Sequence, residues 1–396
     1  PMGGNMTQDT GEFRIADLAP GRYWISAVYR RMSMFGEAPA RNTADKPEEE
    51  YVTTYYPGVI DQAGARPVDV VAGQELPGVD IRLQKARVFR IRGKITGGAE
   101  SARNLRVMLM PRDSMMMMMG FMGGAGGMVK EDGSFEIGGV QPGSYYVSAM
   151  ANQGRPQPMG KVAVDVGRDN VENVALVLTG PLTLNGVIRI DGDVEQLEKA
   201  AGKKITFSSV RVQLMPLEGM NFANTGGQAK DDGTFTLENV GHDKFRVMAM
   251  GLPQGTWLKS IRAGEQEVLD KGLDLNAGSS GPLQITLGVG TGSVSGTVQD
   301  AKQKPVSASM VQLIPDPMKE ERYDLIRVSS TDQNGQFTMQ GIPPGEYKVF
   351  ALDDVESGVS TDPEFLKTHD SKLTKVTVKE NSQQSVSLTQ ISVETN

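Results

Sequence analysis

Few side chains in this sequence could do catalytic chemistry. Of its 396 residues only two are histidine, His242 and His369, and none is cysteine. That removes disulfides, thiol nucleophiles and thiolate metal sites. The two histidines stand in unrelated contexts, and His242 reads as a solvent-facing turn residue. Gly292-Ser293-Val294-Ser295-Gly296 imitates a nucleophile elbow, but its centre is valine. Gly288, Gly290 and Gly292 imitate part of a nucleotide loop, yet an alternating strand pattern follows them rather than a helix, so they read as a linker. With no nucleophile–base pair to assemble, the sequence predicts a protein that is not an enzyme and uses no cofactor.

Metal chemistry has two candidates. Acidic turns occur at Glu131-Asp132-Gly133, Asp231-Asp232-Gly233 and Asp332-Gln333-Asn334-Gly335, with a further pair at Asp191 and Asp193. Calcium demands six to eight oxygens, whereas Asp or Asn before Gly is what a tight hairpin turn needs, so turns are expected. Nine of the 22 methionines lie between Met108 and Met128, including the run Met115, Met116, Met117, Met118 and Met119. Soft thioethers suit Cu(I). The stretch joins two strands, however, and an adaptable apolar contact is its expected role, with 112–128 forming a loop that pairs with nothing.

The elements that would position these residues come from a four-fold repeat. A Gly turn, a Phe, two alternating apolar positions and Pro-Gly-x-Tyr or a variant recur at Gly11 to Tyr23, Gly133 to Tyr145, Gly233 to Phe245 and Gly335 to Tyr347, the third copy reading Gly241-His242-Asp243-Lys244-Phe245. The later copies are spaced by roughly 100 residues, the length of one β-sandwich. A Gly-centred opening strand recurs at Gly93, Gly186 and Gly296, and a strand ending in proline at Pro111, Pro216 and Pro315. A closing strand is expected around 79–83, 174–178, 283–287 and 386–388. Each segment alternates with period two. Val194 to Ala201 is the one plausible short helix, and an acidic loop fits it equally well. The expected fold is all-β: a tandem array of immunoglobulin-like sandwiches over 1–86, 87–180, 181–290 and 291–396. The first is incomplete, because too little chain precedes Phe13.

The Asp-Gly-x-Phe turn, the Pro-Gly-x-Tyr-x-Val-x-Ala strand and the Gly-centred opening strand together resemble the carboxypeptidase regulatory-like domain. That resemblance implies a transthyretin-like sandwich within a carbohydrate-binding-like fold group. Tyr55-Tyr56-Pro57-Gly58 and the stretch from Asp362 to Glu380 are similar to versions in large secreted or envelope proteins of bacteria. The likeness covers nearly the whole chain, and it specifies fold better than function. It brings no catalytic residues, since neither histidine begins the His-x-x-Glu pair of a zinc carboxypeptidase. Collagen-adhesin B-type domains of similar look form Lys–Asn cross-links. Lys94 lies in an opening strand, but Val187 and Thr297 stand at the equivalent positions, so a cross-link is not expected.

Alternation places Tyr145, Val147 and Ala149 in a core and puts Trp24, Tyr146, Arg246 and Lys348 on the opposite, outward face. Trp24, Tyr146, Tyr55, Tyr56 and Trp257 are the candidates for stacking on a polysaccharide. A net charge of −7 argues against nucleic acid, and no apolar run is long enough to span a membrane. The sequence therefore predicts a modular structural or adhesive protein, extracellular or associated with the cell envelope, with its signal peptide upstream of Pro1. The alternatives are a polysaccharide-binding array or an accessory region of a larger enzyme or receptor. Its expected partners are other chains or further copies of itself; truncation explains the open first domain, and the alternative is that the tail 389–396 of another copy adds to it as a strand.

Overall fold

The computed structural model describes residues 4–18, 20–29, 48–71, 73–97, 105–112, 126–151, 159–218, 225–278, 281–319, 322–353 and 363–392. These are mostly strands, with two short α-helices, Val194–Ala201 (α1) and Pro363–Thr368 (α2). Chain contacts separate two compact units: Pro1–Pro181 with Glu218–Met220, and Leu182–Leu217 with Asn221–Asn396.

One topology recurs three times. The opening strands are Lys85–Thr96, Leu182–Asp191 and Gly292–Gln299. Each pairs in parallel with the closing strand of its own repeat, Val171–Val177, Leu283–Val289 or Gln383–Ile391. On its other side it pairs antiparallel with the Phe-bearing strand, Ser134–Val140, Thr234–Val240 or Gln336–Ile342. A second sheet joins Leu105–Pro111 to Gly143–Ala151, and its counterparts join Arg211–Pro216 to Lys244–Met250 and Met310–Pro315 to Gly345–Leu352. The inward residues of the two layers form separate cores around Phe135, Phe235 and Phe337.

The opening-strand glycine and the Phe of the next strand are two halves of one contact. Gly93, Gly186 and Gly296 stand directly opposite Phe135, Phe235 and Phe337 in the ladders. A Cβ on Gly186 would lie 2.2 Å from the Phe235 ring, so the ring occupies the place a side chain would take. Each acidic turn shapes its hairpin: Asp132 accepts from the Ser134 N–H at 2.9 Å and hydroxyl at 2.7 Å. Asp232 does the same with Thr234, and Asp332 accepts from the Asn334 and Gln336 amides. Asp193 caps α1 by accepting from Gln196 N, and Asp191 pairs with Lys259 at 2.7 Å.

The structure corrects several expectations. Residues 79–83 are not a strand. In the other repeats the closing strand is held by its parallel opening strand, and no such partner exists for 79–83 among the described residues. What the first repeat shows is short ladders, Gly21–Tyr23 with Val68–Val70 and Ser26–Ala27 with Thr54–Tyr55. Its strand Glu48–Tyr51 pairs directly onto Lys85–Val88, at the start of the next repeat. Gly126–Met128 is paired with Arg106–Met108, contrary to the expectation that 112–128 pairs with nothing. The run Met115, Met116, Met117, Met118 and Met119 lies outside the described residues. Strand donation by the tail fails for 389–391: Thr389 pairs with Gln299, and Gln390 and Ile391 pair with Ala351 and Leu352. Ile391 is 2% exposed in a cluster with Ile314, Phe350 and Phe365, because α2 covers the outward face of the fourth repeat. Those groups are committed to their own domain.

Two repeats carry a tyrosine corner, in which the hydroxyl donates to the carbonyl four residues upstream. Tyr145 bonds Gln141 O at 3.0 Å and Tyr347 bonds Pro343 O at 2.8 Å. Burial pushes the Tyr347 hydroxyl up to about 12. Because the unfolded state ionises first, the stability Tyr347 contributes is present below about pH 10 and is lost as pH rises through about 12. Tyr347→Phe is expected to cost about 1 kcal/mol near pH 7 and to remove this alkaline loss. Urea unfolding of both proteins at pH 7 and pH 11 checks it, and parallel curves at the two pH values would count against the corner.

Candidate functional site

The aromatic candidates stand in different local settings. Trp24, Tyr55 and Tyr56 gather at the small ladder of the first repeat, where Ser26 pairs with Tyr55 and Tyr56 N donates to Ile25 O. Trp24 is 44% exposed, but Tyr55 is 6% exposed, and burial, with Asp61 adding, raises its hydroxyl pKa. Tyr146, expected to be outward and exposed, is also 6% exposed. It does point away from the core, but the Arg112 and Lys161 cations sit over its ring at 5.4 and 4.6 Å. Glu218 accepts its hydroxyl hydrogen bond. Burial first, then Glu218, raises that hydroxyl's pKa. A ring so covered cannot stack on a sugar. The other outward positions are engaged too: Arg246 lies over the Tyr323 ring at 5.4 Å, and Lys348 pairs with Asp316 and Asp370.

The histidines stay apart in sequence and role. His242 is half-buried in the turn before Lys244–Met250 rather than solvent-facing. His369 stacks on Phe365 with centroids 4.3 Å apart, and its Nδ1 lies 3.0 Å from Phe365 O. Lys94 is exposed opposite Ser134. Among the described residues no group of three or more His, Cys, Asp and Glu is placed to hold a metal ion.

The buried charges that sequence reading missed lie where consecutive repeats meet. In the first unit the Arg90 side chain is 9% exposed between Glu48, from the first repeat, and Glu136 of the second, at 2.6 Å from the latter. Arg92 extends the seam to Glu136 and Glu172. In the second unit the Arg322 side chain is 7% exposed. Its Nη2 donates to Leu258 O at 3.2 Å and its Nη1 to Asp270 at 3.2 Å, both in the third repeat. Asp324, in its own repeat, takes Nε at 2.7 Å and Nη2 at 2.9 Å. Lys319 adds a bond to Asp270 at 3.1 Å. Burial alone would raise the Asp270 carboxyl, but hydrogen bonds from Lys319 and Arg322 outweigh it and hold the pKa below the usual range. The same balance holds Glu136 low, with Arg92 and Arg90 supplying the bonds. A planar guanidinium with five donors suits this role, since it can bond two carboxylates and a carbonyl at once.

Beside Arg322, the third and fourth repeats enclose a cleft of about 500 Å³, lined on one wall by Trp257 and Lys259 and on the other by prolines and Tyr347.

No protein-family model matches the sequence, and no curated protein matches it. The chain is remotely similar to several solved structures. The Bacillus anthracis TIE protein is 11% identical, with 85% of this chain covered and a TM-score of 0.19; the match spans 56% of that chain's length. A streptococcal ancillary pilin is 10% identical over 77% of this chain and 99% of its own, with a TM-score of 0.25. GBS52, the minor pilin of Streptococcus agalactiae, is 14% identical over 54% of this chain and 97% of its own, with a TM-score of 0.27. At these values the likenesses assign neither a family nor an activity.

Proposed function

We propose that this chain is a non-enzymatic structural or adhesive array of carboxypeptidase regulatory-like sandwiches, with repeat boundaries near residues 86, 180 and 290. It works at the cell envelope or outside the cell, reached through a targeting segment upstream, and meets other protein chains rather than nucleic acid. The observation that carries this reading is the buried arginine where one repeat meets the next, Arg90 with Glu48 and Arg322 with Asp270. Flexible tethering needs no such contact. A side chain held by acceptors from both neighbours resists bending and transmits load, which is the demand on a structural array. Protease shaving of intact cells that produce the protein tests it, combined with a surface-adhesion assay on a deletion strain. Release of its peptides from unbroken cells and weaker adhesion are expected. A protein protected until lysis would overturn the proposal.

A further inference from the structure

In the cleft between the third and fourth repeats, one aromatic ring is set among cations that are already paired. Trp257 lies against Gly288, where a Cβ would come within 2.5 Å of the indole. Its Nε1 donates to Val289 O at 3.4 Å, so the half-buried ring presents an apolar plate and a spent N–H. Around it every cation is paired with a carboxylate. Lys259 bonds Asp191, Lys319 and Arg322 bond Asp270, and Asp316 faces Lys348, whereas Glu346 accepts from the Thr377 hydroxyl and Glu267 from the Ile261 and Leu269 amides. The cations of this lining are all engaged, so an anion would have to displace a pair already made, while Glu267 and Glu346 remain as acceptors for hydroxyl groups. It still offers many donors and acceptors with capacity left, as each ammonium has three protons and each carboxylate about four lone-pair positions.

We propose that this cleft binds a neutral oligosaccharide, with Trp257 as the stacking platform. Sugars combine what the lining calls for: no negative charge, a C–H face for an aromatic ring, and a rim of hydroxyls that both donate and accept. The volume of about 500 Å³ falls within the roughly 300–1,000 Å³ of ordinary ligand sites. A proline-rich peptide would dock between several exposed aromatic rings, whereas Tyr347, the other aromatic lining residue, is buried. The site stands apart from the array reading, since sugar binding and surface location are measured separately.

The chain has two tryptophans, so Trp24→Phe leaves Trp257 as the sole indole emitter. This variant is titrated with cellotetraose, maltotetraose, mannotetraose and N-acetylchitotetraose. A tetragalacturonate and a proline-rich decapeptide serve as the charged and peptide arms. A saturable shift of Trp257 emission with at least one neutral tetrasaccharide is expected, and no shift in the other two arms. By saturation-transfer NMR, Trp257→Leu in the full chain weakens that sugar by about tenfold or more. Lys259→Ala, at an exposed rim position, weakens it less and keeps the test open should Trp257→Leu fail to fold. No shift with any neutral sugar, a response to the peptide or the anion alone, or unchanged binding in both variants would overturn the site.

Discussion

Gly296→Ala is expected to destabilise the fourth sandwich by about 3 kcal/mol, at the upper end of what overpacking a core costs. The added Cβ would stand 2.0 Å from Val386 O, a backbone atom in the parallel closing strand, and 3.1 Å from the Phe337 ring. A side chain can rotate away from such a contact. A carbonyl in a paired strand cannot move without breaking the ladder from Ser293 to Gln299. Gly186→Ala makes an instructive contrast, because its nearest clashes are all with the Phe235 ring, the first at 2.2 Å. Phe235→Leu should therefore rescue part of the Gly186→Ala loss, the double variant costing less than the sum of the singles. Phe337→Leu should not rescue Gly296→Ala. Gly167→Ala, with nothing within 4 Å, is the control and should stay within about 0.5 kcal/mol of the parent. Urea denaturation followed for each variant decides it. A Gly296→Ala protein as stable as the Gly167→Ala protein, or rescued equally well by trimming Phe337, would refute this account of the motif.

That pairing also marks how far the sequence could be read. The central glycine and the turn phenylalanine were both visible as repeats, since each recurs at nearly fixed spacing. Nothing local, however, says that Gly93 faces Phe135 across the ladder. Period-two alternation located the inward residues well, as Val147, Val349 and Ala351 are all buried. It said less about the other face, because alternation distinguishes two faces without telling what covers the second. Tyr146 is buried by cations and a carboxylate, and Phe350 and Leu352 by α2, which begins at Pro363 and whose apolar residues Phe365 and Leu366 are too few to show helical period. Nothing local in the sequence marks Arg90, in an alternating strand, or Arg322, beside Glu320 and Glu321, as buried. Their burial depends on where the neighbouring repeat stands, and short-range pattern does not carry that. Of the five aromatic candidates, Trp257 gained its setting only when Gly288 and the fourth repeat were placed around it.

The second large effect concerns Arg322, and its expected direction is asymmetric. Removing the two acids that hold it, as Asp270→Ala with Asp324→Ala, leaves a guanidinium that is 7% exposed with only Leu258 O among its described acceptors. Stranding one partner of a buried pair costs about 3–5 kcal/mol. The lower end applies here, because Asp270 and Asp324 are themselves half-exposed and their attraction is screened. Arg322→Met should cost less, since it removes the buried charge while keeping much of the packing, and Asp270 retains Lys319. Acid should reproduce the acid-removing variant. Asp270 is depressed below its ordinary value, so the stability it contributes is fully present above about pH 4 and is lost as pH falls through the lower, folded value. Calorimetry should show the third and fourth sandwiches melting together at pH 7 in the parent. In the Asp270→Ala/Asp324→Ala protein the fourth should melt early and separately, and the part of the acid sensitivity below pH 4 that comes from Asp270 should be lost. If Arg322→Met proved the more damaging change, or the double variant kept the parent's full acid dependence, the arginine would be a packing residue and not the clamp between the two repeats.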